Sequence, residues 1–270
     1  MTIFQSPTKN ERTNKRLQFI VFAYLVATAI AWFLYVIFAF SWWKAPFPGA
    51  FIEQTMLFNG VGATRNDDSW QLFKDDVGLY YHLKEIDGQD MRTSKDIQEA
   101  LSPFDAGDTV SITYTSPEGK AVTRDITLEH FSSADRITYY FIPNIIGFIY
   151  LAIGAWIFRL RGTESAGRAF TLFASSLAIG VSGLFDIYTT HHLTYLWTFA
   201  LAIAGGSLFD LALSFPQAFD SIVKRSYIRW FGYIVAIILS IFAIPAVYNI
   251  DDPGLYVSRW QLIYGFTGLN

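Results

Sequence analysis

The chain has 270 residues, of which 52% are hydrophobic and 18% are aromatic, a composition typical of membrane proteins rather than soluble domains. Its formal net charge is −3 and the sequence offers no broad basic face, so we expect no nucleic-acid partner. Cysteine is absent, which excludes disulfides and thiol chemistry.

The first apolar run follows a polar, basic start. Residues 1–16 carry four Lys or Arg residues and are predicted to form a cytoplasmic tail. Residues 17–40 are almost entirely apolar and exceed the ~20 residues that cross a bilayer. A cleaved signal peptide is the alternative, but its apolar core covers only ~7–15 residues. Because Trp42 and Trp43 then form an aromatic belt, we predict an uncleaved first transmembrane helix.

A polar module lies between this run and the next one, over residues 46–131. Residues 94–101 have apolar positions at helical spacing, with Ser94 as the predicted N-cap. Residues 109–115 alternate between polar and apolar side chains, as in a half-buried strand. The sequence therefore predicts a small α+β domain inserted between membrane spans.

Four motifs occur in a set order within this module. They are the Ile-Asp-Gly run at residues 86–88, the helix at 94–101, the Ala-Gly-Asp-Thr-Val run at 106–110, and a final hairpin. This order resembles that of the circularly permuted PDZ domains found in bacterial periplasmic quality-control proteases. The resemblance implies a groove that binds an extended peptide by strand addition.

The resemblance also implies which residues line the groove. The family has a carboxylate-binding loop before its binding strand, and residues 48–51 are the nearest match. The predicted groove residues are Gly49, Ala50, Phe51, Ile52, Ile97, Gln98 and Leu101. Two interpretations stay open: the groove binds a peptide or protein ligand, or it is closed and the module is structural or binds a partner laterally.

Residues 139–270 are predicted to form a block of membrane spans. The spans are expected at 139–158, 169–188, 193–215 and 230–248, with the start of another at residue 260. The predicted fold class is therefore an α-helical multi-span membrane protein, with five complete spans, the start of a sixth, and an inserted small α+β PDZ-like domain.

The distribution of basic residues predicts the orientation. The N-terminal tail and two of the short loops after residue 158 hold most of the Lys and Arg residues outside the polar module. If each apolar run crosses once, these segments share one side, which the positive-inside rule makes cytoplasmic. We therefore expect a multi-pass protein of the bacterial inner membrane, in contact with the lipid bilayer and with the PDZ-like module outside.

The last apolar run begins at residue 260 and has eleven residues. A helix of that length rises only ~16 Å, about half the thickness of the hydrocarbon core. We expect the parent protein to continue through at least one more span to a cytoplasmic signalling domain.

Polar residues near the spans are candidates for chemistry. Asp210 lies inside the fourth span, where a carboxylate marks a functional position unless it reaches the interface or a neighbouring helix. His191 and His192 are adjacent and point in different directions, so no metal site is predicted. The Gly-Val-Ser-Gly run at 180–183 matches the rhomboid protease motif, but no later helix supplies a histidine, so close helix packing is predicted. We predict no catalytic role and no cofactor.

One span, an external PDZ-like domain and a multi-span block together resemble the input half of ComP-type bacterial histidine kinases. The run Asp-Leu-Ala-Leu-Ser-Phe-Pro at 210–216 carries part of this resemblance, with Asp210 where histidine is usual. The resemblance implies a sensory input region whose ligand rearranges the spans. The alternative is a membrane scaffold or chaperone-like assembly factor that holds a partner protein. A homodimer is one arrangement left open.

Overall fold

The computed structural model describes residues 9–61, 70–74, 77, 80–215 and 226–269. Helices make up 65% of the structure, which confirms the mainly helical class. In chain order the helices are α1 (Lys9–Trp42), α2 (Gln71–Lys74), α3 (Ser94–Leu101), α4 (Ser133–Arg161), α5 (Ser165–Ser182), α6 (Leu184–Tyr188), α7 (Thr194–Ser214), α8 (Tyr227–Ala246) and α9 (Pro253–Leu269). The strands are β1 (His82–Ile86), β2 (Gln89–Asp90), β3 (Thr109–Thr115) and β4 (Ala121–Thr127).

Five helical segments within the described residues are long and apolar enough to cross a membrane. Four of them are α1, α4, α7 and α8, and the fifth consists of α5 and α6 in succession. Each contains most of one predicted span, because the thickness of the bilayer fixes how many apolar residues a crossing needs. Residues 1–8 of the predicted tail and residues 216–225 lie outside the described residues.

Helices α1 and α9 begin earlier than predicted by the widest margins. Helix α1 is already formed at Lys9, so residues 9–16, predicted as a tail, belong to that helix. Helix α9 begins at Pro253 rather than at Trp260. The carboxylate of Asp252 accepts a hydrogen bond from a first-turn amide at 3.2 Å, so an Asp-Pro pair starts this helix. This start signal is readable from the sequence.

Small residues let the long helices approach closely. A Cβ atom built on Gly206 of α7 would lie 2.8 Å from the carbonyl oxygen of Gly232 on α8. A Cβ on Gly183, in the predicted packing run, would lie 2.7 Å from the hydroxyl oxygen of Tyr35. The close packing predicted for residues 180–183 is therefore confirmed at this glycine.

The sheet domain, residues 46–131, is built around the hairpin of β3 and β4. Its four strands are antiparallel in the order β2-β1-β3-β4. A shorter hairpin at residues 50–58 extends from β1 through an isolated bridge. Ile86, Ile112 and Ile126 are fully buried in one apolar core together with the inner face of α3.

Helix α3 begins with a capping box. The Thr93 hydroxyl accepts the amide of Asp96 at 3.2 Å, and the Asp96 carboxylate accepts the amide of Thr93 at 2.8 Å. The prediction of Ser94 as the N-cap is wrong by one residue, because the acidic side chain three positions later serves Thr93. Ser94 instead donates its hydroxyl to the carbonyl oxygen of Thr190, at 2.8 Å.

An aromatic cluster joins the sheet domain to the apolar helices. Its rings come from both sides and include Trp42, Phe47, Phe51, Trp70, Phe131, Tyr140, Phe185 and Tyr188. Trp42 meets Phe131 of the sheet domain and Phe185 of α6 at 5.3 Å between ring centroids, almost perpendicular to both. Such edge-to-face pairs contribute about 0.5–1.5 kcal/mol each beyond burial. The cluster therefore fixes the position of the sheet domain on the helices.

Candidate functional site

Five of the seven predicted groove residues meet at one small cavity. They are Ala50, Ile52, Ile97, Gln98 and Leu101. Residues 50 and 52 share a face because side chains alternate along an extended strand. The three helical residues share a face because positions one turn apart lie above one another. The structure thus brings the short hairpin and α3 together as the two walls of a groove.

The other two predicted residues lie elsewhere. Phe51 points to the opposite face of its strand and joins the aromatic cluster, where it stacks on Tyr188 at 5.5 Å between centroids. Two consecutive strand residues cannot both face one groove. Gly49 has a φ of +82°, and a Cβ there would lie 2.9 Å from the backbone nitrogen of Gln71. Gly49 is therefore needed for the turn that passes α2, outside the cavity lining.

The groove is nearly filled. Its open space is about 30 Å³, roughly the volume of one water molecule. Besides the two walls, the lining includes Trp42 at the end of α1 and Tyr188 and Thr189 at the end of α6. The apolar helices therefore cover the groove that the sequence predicted for a ligand.

One backbone carbonyl in the groove has its hydrogen bond supplied by the helical part of the chain. The carbonyl of Phe51 accepts the amide of Asn59 at 2.9 Å, and the amide of Glu53 donates to the carbonyl of Leu57 at 2.8 Å. The backbone groups of successive residues point to alternate edges of a strand. The carbonyl of Ile52 therefore faces the edge opposite to the one that pairs within the hairpin. The Nε2 atom of His191 lies 2.9 Å from that carbonyl oxygen. A carbonyl can only accept, so Nε2 carries the proton and donates it.

We call residues 189–193, which join α6 to α7, the docking loop. It contacts both walls of the groove, through His191 at Ile52 and through Thr190 at Ser94. A peptide that added to this edge by strand addition would need the carbonyl of Ile52 for itself. The docking loop thus occupies the hydrogen-bonding edge that an added strand would need.

Asp186 orders the docking loop. The residue is 3% exposed, and its side chain accepts hydrogen bonds from the hydroxyl of Thr190 and from the amides of His192 (3.0 Å) and Leu193 (2.9 Å). Its backbone carbonyl accepts the amide of His191 at 2.8 Å. In the sequence, Asp186 stands at the end of the predicted span 169–188. Asp186 lies eight residues before the start of α7, so no local capping pattern in the sequence reveals these bonds.

The ring of His191 is 5% exposed, and burial lowers its pKa to about 4. A positive charge on the neighbouring His192 would also lower the pKa of His191, whereas the hydrogen bond to Ile52 raises it. His191 also has a φ of +58°, which is uncommon for a residue with a side chain. The hydroxyl of Tyr248 donates to its carbonyl oxygen and helps to hold this conformation.

The stability of the docked loop is expected to depend on pH through His191. An unfolded histidine titrates near 6.5, so between that pH and about 4 only the unfolded chain takes the proton. The stabilisation that neutral His191 contributes to the folded state is complete above pH ~6.5. It falls by roughly 3 kcal/mol as the pH drops to about 4. Thermal unfolding in detergent at pH 7 and pH 4.5 should show this loss.

The matched variant for this measurement is His191→Gln, which keeps an N–H donor but does not titrate. Burial raises the pKa of Glu53 in the adjacent hairpin, which opposes the effect, so the native chain must be compared with this variant at each pH. An identical pH dependence in both chains would show that His191 is not the titrating group.

Asp210 lies at the other end of the helix bundle and is not a lone carboxylate. Both of its oxygens accept from the guanidinium of Arg229, one of them at 3.0 Å from Nη2. The hydroxyls of Tyr233 and Ser214 also donate to it, at 3.1 and 3.2 Å. Of the two alternatives for this residue, the structure shows contact with a neighbouring helix. Sequence reasoning missed Arg229 because pairing across helices depends on tertiary packing.

The comparisons with known proteins identify no relative. No family model matches the chain, and neither the curated proteins nor the solved structures give a significant match. Among the described residues, no three His, Cys, Asp or Glu side chains are grouped to hold a metal ion. The function is therefore argued from the groove and from the loop that covers it.

Proposed function

We propose that this chain is the membrane-embedded sensory input region of a bacterial signal-transduction protein, and that its groove binds a peptide or protein ligand. The supporting observation is the hydrogen bond from His191 to the carbonyl of Ile52. A ligand that adds to this edge competes with the docking loop. Because that loop connects α6 to α7, its release would change the ends of two membrane helices.

The competition also sets the energetics of the proposed sensor. A ligand binds only the population in which the docking loop has left the groove, so its apparent affinity is reduced by that fraction. The ligand shifts the population by the difference between its affinities for the open and closed forms. Docked and released loops are then the two states of the switch.

Opening the groove by mutation is expected to expose the ligand site. His191→Ala removes the hydrogen bond to Ile52, which favours the docked loop. If docking becomes about 1.4 kcal/mol less favourable, peptide capture should rise roughly tenfold. The measurement is selection of C-terminal peptides from an unbiased library on detergent-solubilised protein. Gln98→Glu in the opened chain should change which peptides are selected, since Gln98 lines the cavity.

His192→Ala is the matched control for this selection. Its ring packs on Phe38, at 4.5 Å between centroids, and is not the group that bonds Ile52. Capture should therefore stay at the native level. If neither the native chain nor the opened variant selects any peptide, the recognition role is wrong.

The proposed orientation places the sheet domain outside the inner membrane. The ends of the helices away from the sheet domain carry basic residues, namely Lys9, Arg12, Lys15, Arg16, Arg159, Arg161, Arg168 and Arg229. This distribution supports a cytoplasmic location for that end, by the positive-inside rule.

A single cysteine tests the orientation, since the native chain contains none. Lys120 is exposed in the turn between β3 and β4. Lys120→Cys should react with a membrane-impermeant maleimide on spheroplasts as fully as after lysis. Cysteine in place of Arg161, at the opposite end of the bundle, should react only after lysis. The reverse pattern would place the sheet domain in the cytoplasm.

The second candidate function is a membrane scaffold or chaperone-like assembly factor. It is favoured by the aromatic cluster, which fixes the sheet domain on the helices, and by the filled groove. A scaffold would hold its partner on other surfaces and would need no opening of the docking loop. A peptide selection that stays empty in the opened variant supports this candidate.

A further inference from the structure

A second cavity lies between α1, α5, α7 and α8, at the end of the bundle away from the sheet domain. Its volume is about 420 Å³, within the range of small-molecule sites. The walls are apolar and include Leu17, Tyr24, Leu172, Phe199 and Ile203. Nothing in the groove or the docking loop contributes to this cavity, so it is independent of the proposed sensor site.

Charged groups line one end of this cavity. They are Arg168, Asp210 and Arg229. Asp210 is engaged by Arg229 in a two-point ion pair, which leaves that pair neutral. Arg168 has no carboxylate partner within the described residues, and its bonds there all come from Nη1, to the side chain of Asn14 and to two backbone carbonyls. The cavity therefore carries one uncompensated positive charge.

The charged and apolar parts are separated along the helix axes. Phe199 lies eleven residues before Asp210 on α7, which is about 16 Å at 1.5 Å per residue. On α1, Leu17 and Tyr24 are about 10 Å apart by the same measure. The cavity thus runs from an arginine at the helix ends into the apolar depth of the bundle.

We infer that this cavity binds an anionic membrane lipid, with its acidic headgroup at Arg168 and an acyl chain along the apolar walls. Charge complementarity selects an anion, and the guanidinium has two further nitrogens to donate to phosphate oxygens. The length of apolar wall selects a molecule with a hydrocarbon chain, which a free inorganic anion lacks. Bound there, the lipid would touch four helices at once.

Native mass spectrometry tests this inference on the full chain. The detergent-solubilised protein is given an equimolar mixture of phosphatidylglycerol and phosphatidylcholine with the same acyl chains. We expect one phosphatidylglycerol to be retained, at least about tenfold over phosphatidylcholine, as a charge-assisted contact would give. Equal retention of the two lipids would overturn the inference.

Variants test the contact with the headgroup and the contact with the apolar wall separately. Arg168→Gln should bring the ratio of retained phosphatidylglycerol to retained phosphatidylcholine close to one. Arg168→Lys should keep part of the preference for phosphatidylglycerol. Arg161→Gln is the control, since Arg161 lies at the same end but is exposed and pairs with Glu164. Leu172→Trp fills the apolar part of the cavity and should abolish retention of either lipid. Retention that stays at the native level in Leu172→Trp, or a lipid preference that stays unchanged in Arg168→Gln, contradicts the site.

A final arm distinguishes a lipid from a free anion. Thermal stability is measured with inorganic phosphate and with phosphatidylglycerol micelles at the same anion concentration. Stabilisation by the lipid alone supports the inference, whereas equal stabilisation by inorganic phosphate would show that the hydrocarbon chain is not recognised.

Discussion

Replacing Gly206 with leucine is expected to separate α7 from α8 and to lower the free energy of unfolding by about 3 kcal/mol, the upper end of the usual cost of overpacking. The cause is geometric, because a Cβ at this position would lie 2.8 Å from the carbonyl oxygen of Gly232, 3.0 Å from its carbonyl carbon and 3.2 Å from the backbone nitrogen of Tyr233. Backbone atoms cannot rotate away as a flexible side chain can. The two helices must therefore move apart along their whole contact.

Gly265→Leu is the matched control, since nothing lies within 4 Å of a Cβ built on that helical glycine. The measurement is thermal unfolding of both variants in the same detergent. A similar loss of stability in both would mean that the effect comes from leucine in an apolar helix and not from the contact of α7 with α8.

The second large effect is expected at Asp186. Asp186→Ala leaves the hydroxyl of Thr190 and the amides of His192 and Leu193 without their acceptor. Each buried donor left unpaired costs about 1–3 kcal/mol, and the three are coupled, so we expect a total loss of more than about 3 kcal/mol. The docking loop should also leave the groove, because the same carboxylate sets its conformation.

Hydrogen exchange of the amides at residues 189–193 measures this release directly. Asp186→Asn keeps one side-chain acceptor and should show an intermediate effect, and Asp125→Ala, at an exposed position of β4, is the control. Slow exchange of these amides in Asp186→Ala would show that the loop is held by its groove contacts alone.

Much of the fold could be predicted because local physics determines it. A bilayer requires ~20 apolar residues per crossing, so the runs around residues 17–40 and 193–215 stand out in the sequence. Alternation over β3 predicts a half-buried strand, and the buried positions of that strand follow it. Side chains at helical spacing also placed Ile97 and Leu101 on one face.

The docking loop could not be predicted, because its contacts join distant parts of the chain. The bond between His191 and Ile52 connects residues 139 positions apart, and only tertiary structure brings them together. The pairing of Asp210 with Arg229 depends in the same way on how α7 packs against α8. Phe51 was assigned to the groove through the family resemblance, whereas the alternation of strand side chains turns it into the aromatic cluster.

The aromatic cluster gives this molecule an internal optical signal. Its perpendicular rings, Trp42 against Phe131 and Phe185 among them, sit in a fixed asymmetric environment, and such packing produces near-ultraviolet circular dichroism that disappears when the packing loosens. Because the rings come from both the sheet domain and the helices, undocking would weaken this band while the far-ultraviolet helical signal persists. Detachment of the domain and unfolding of the membrane helices can thus be followed as separate events without any attached dye.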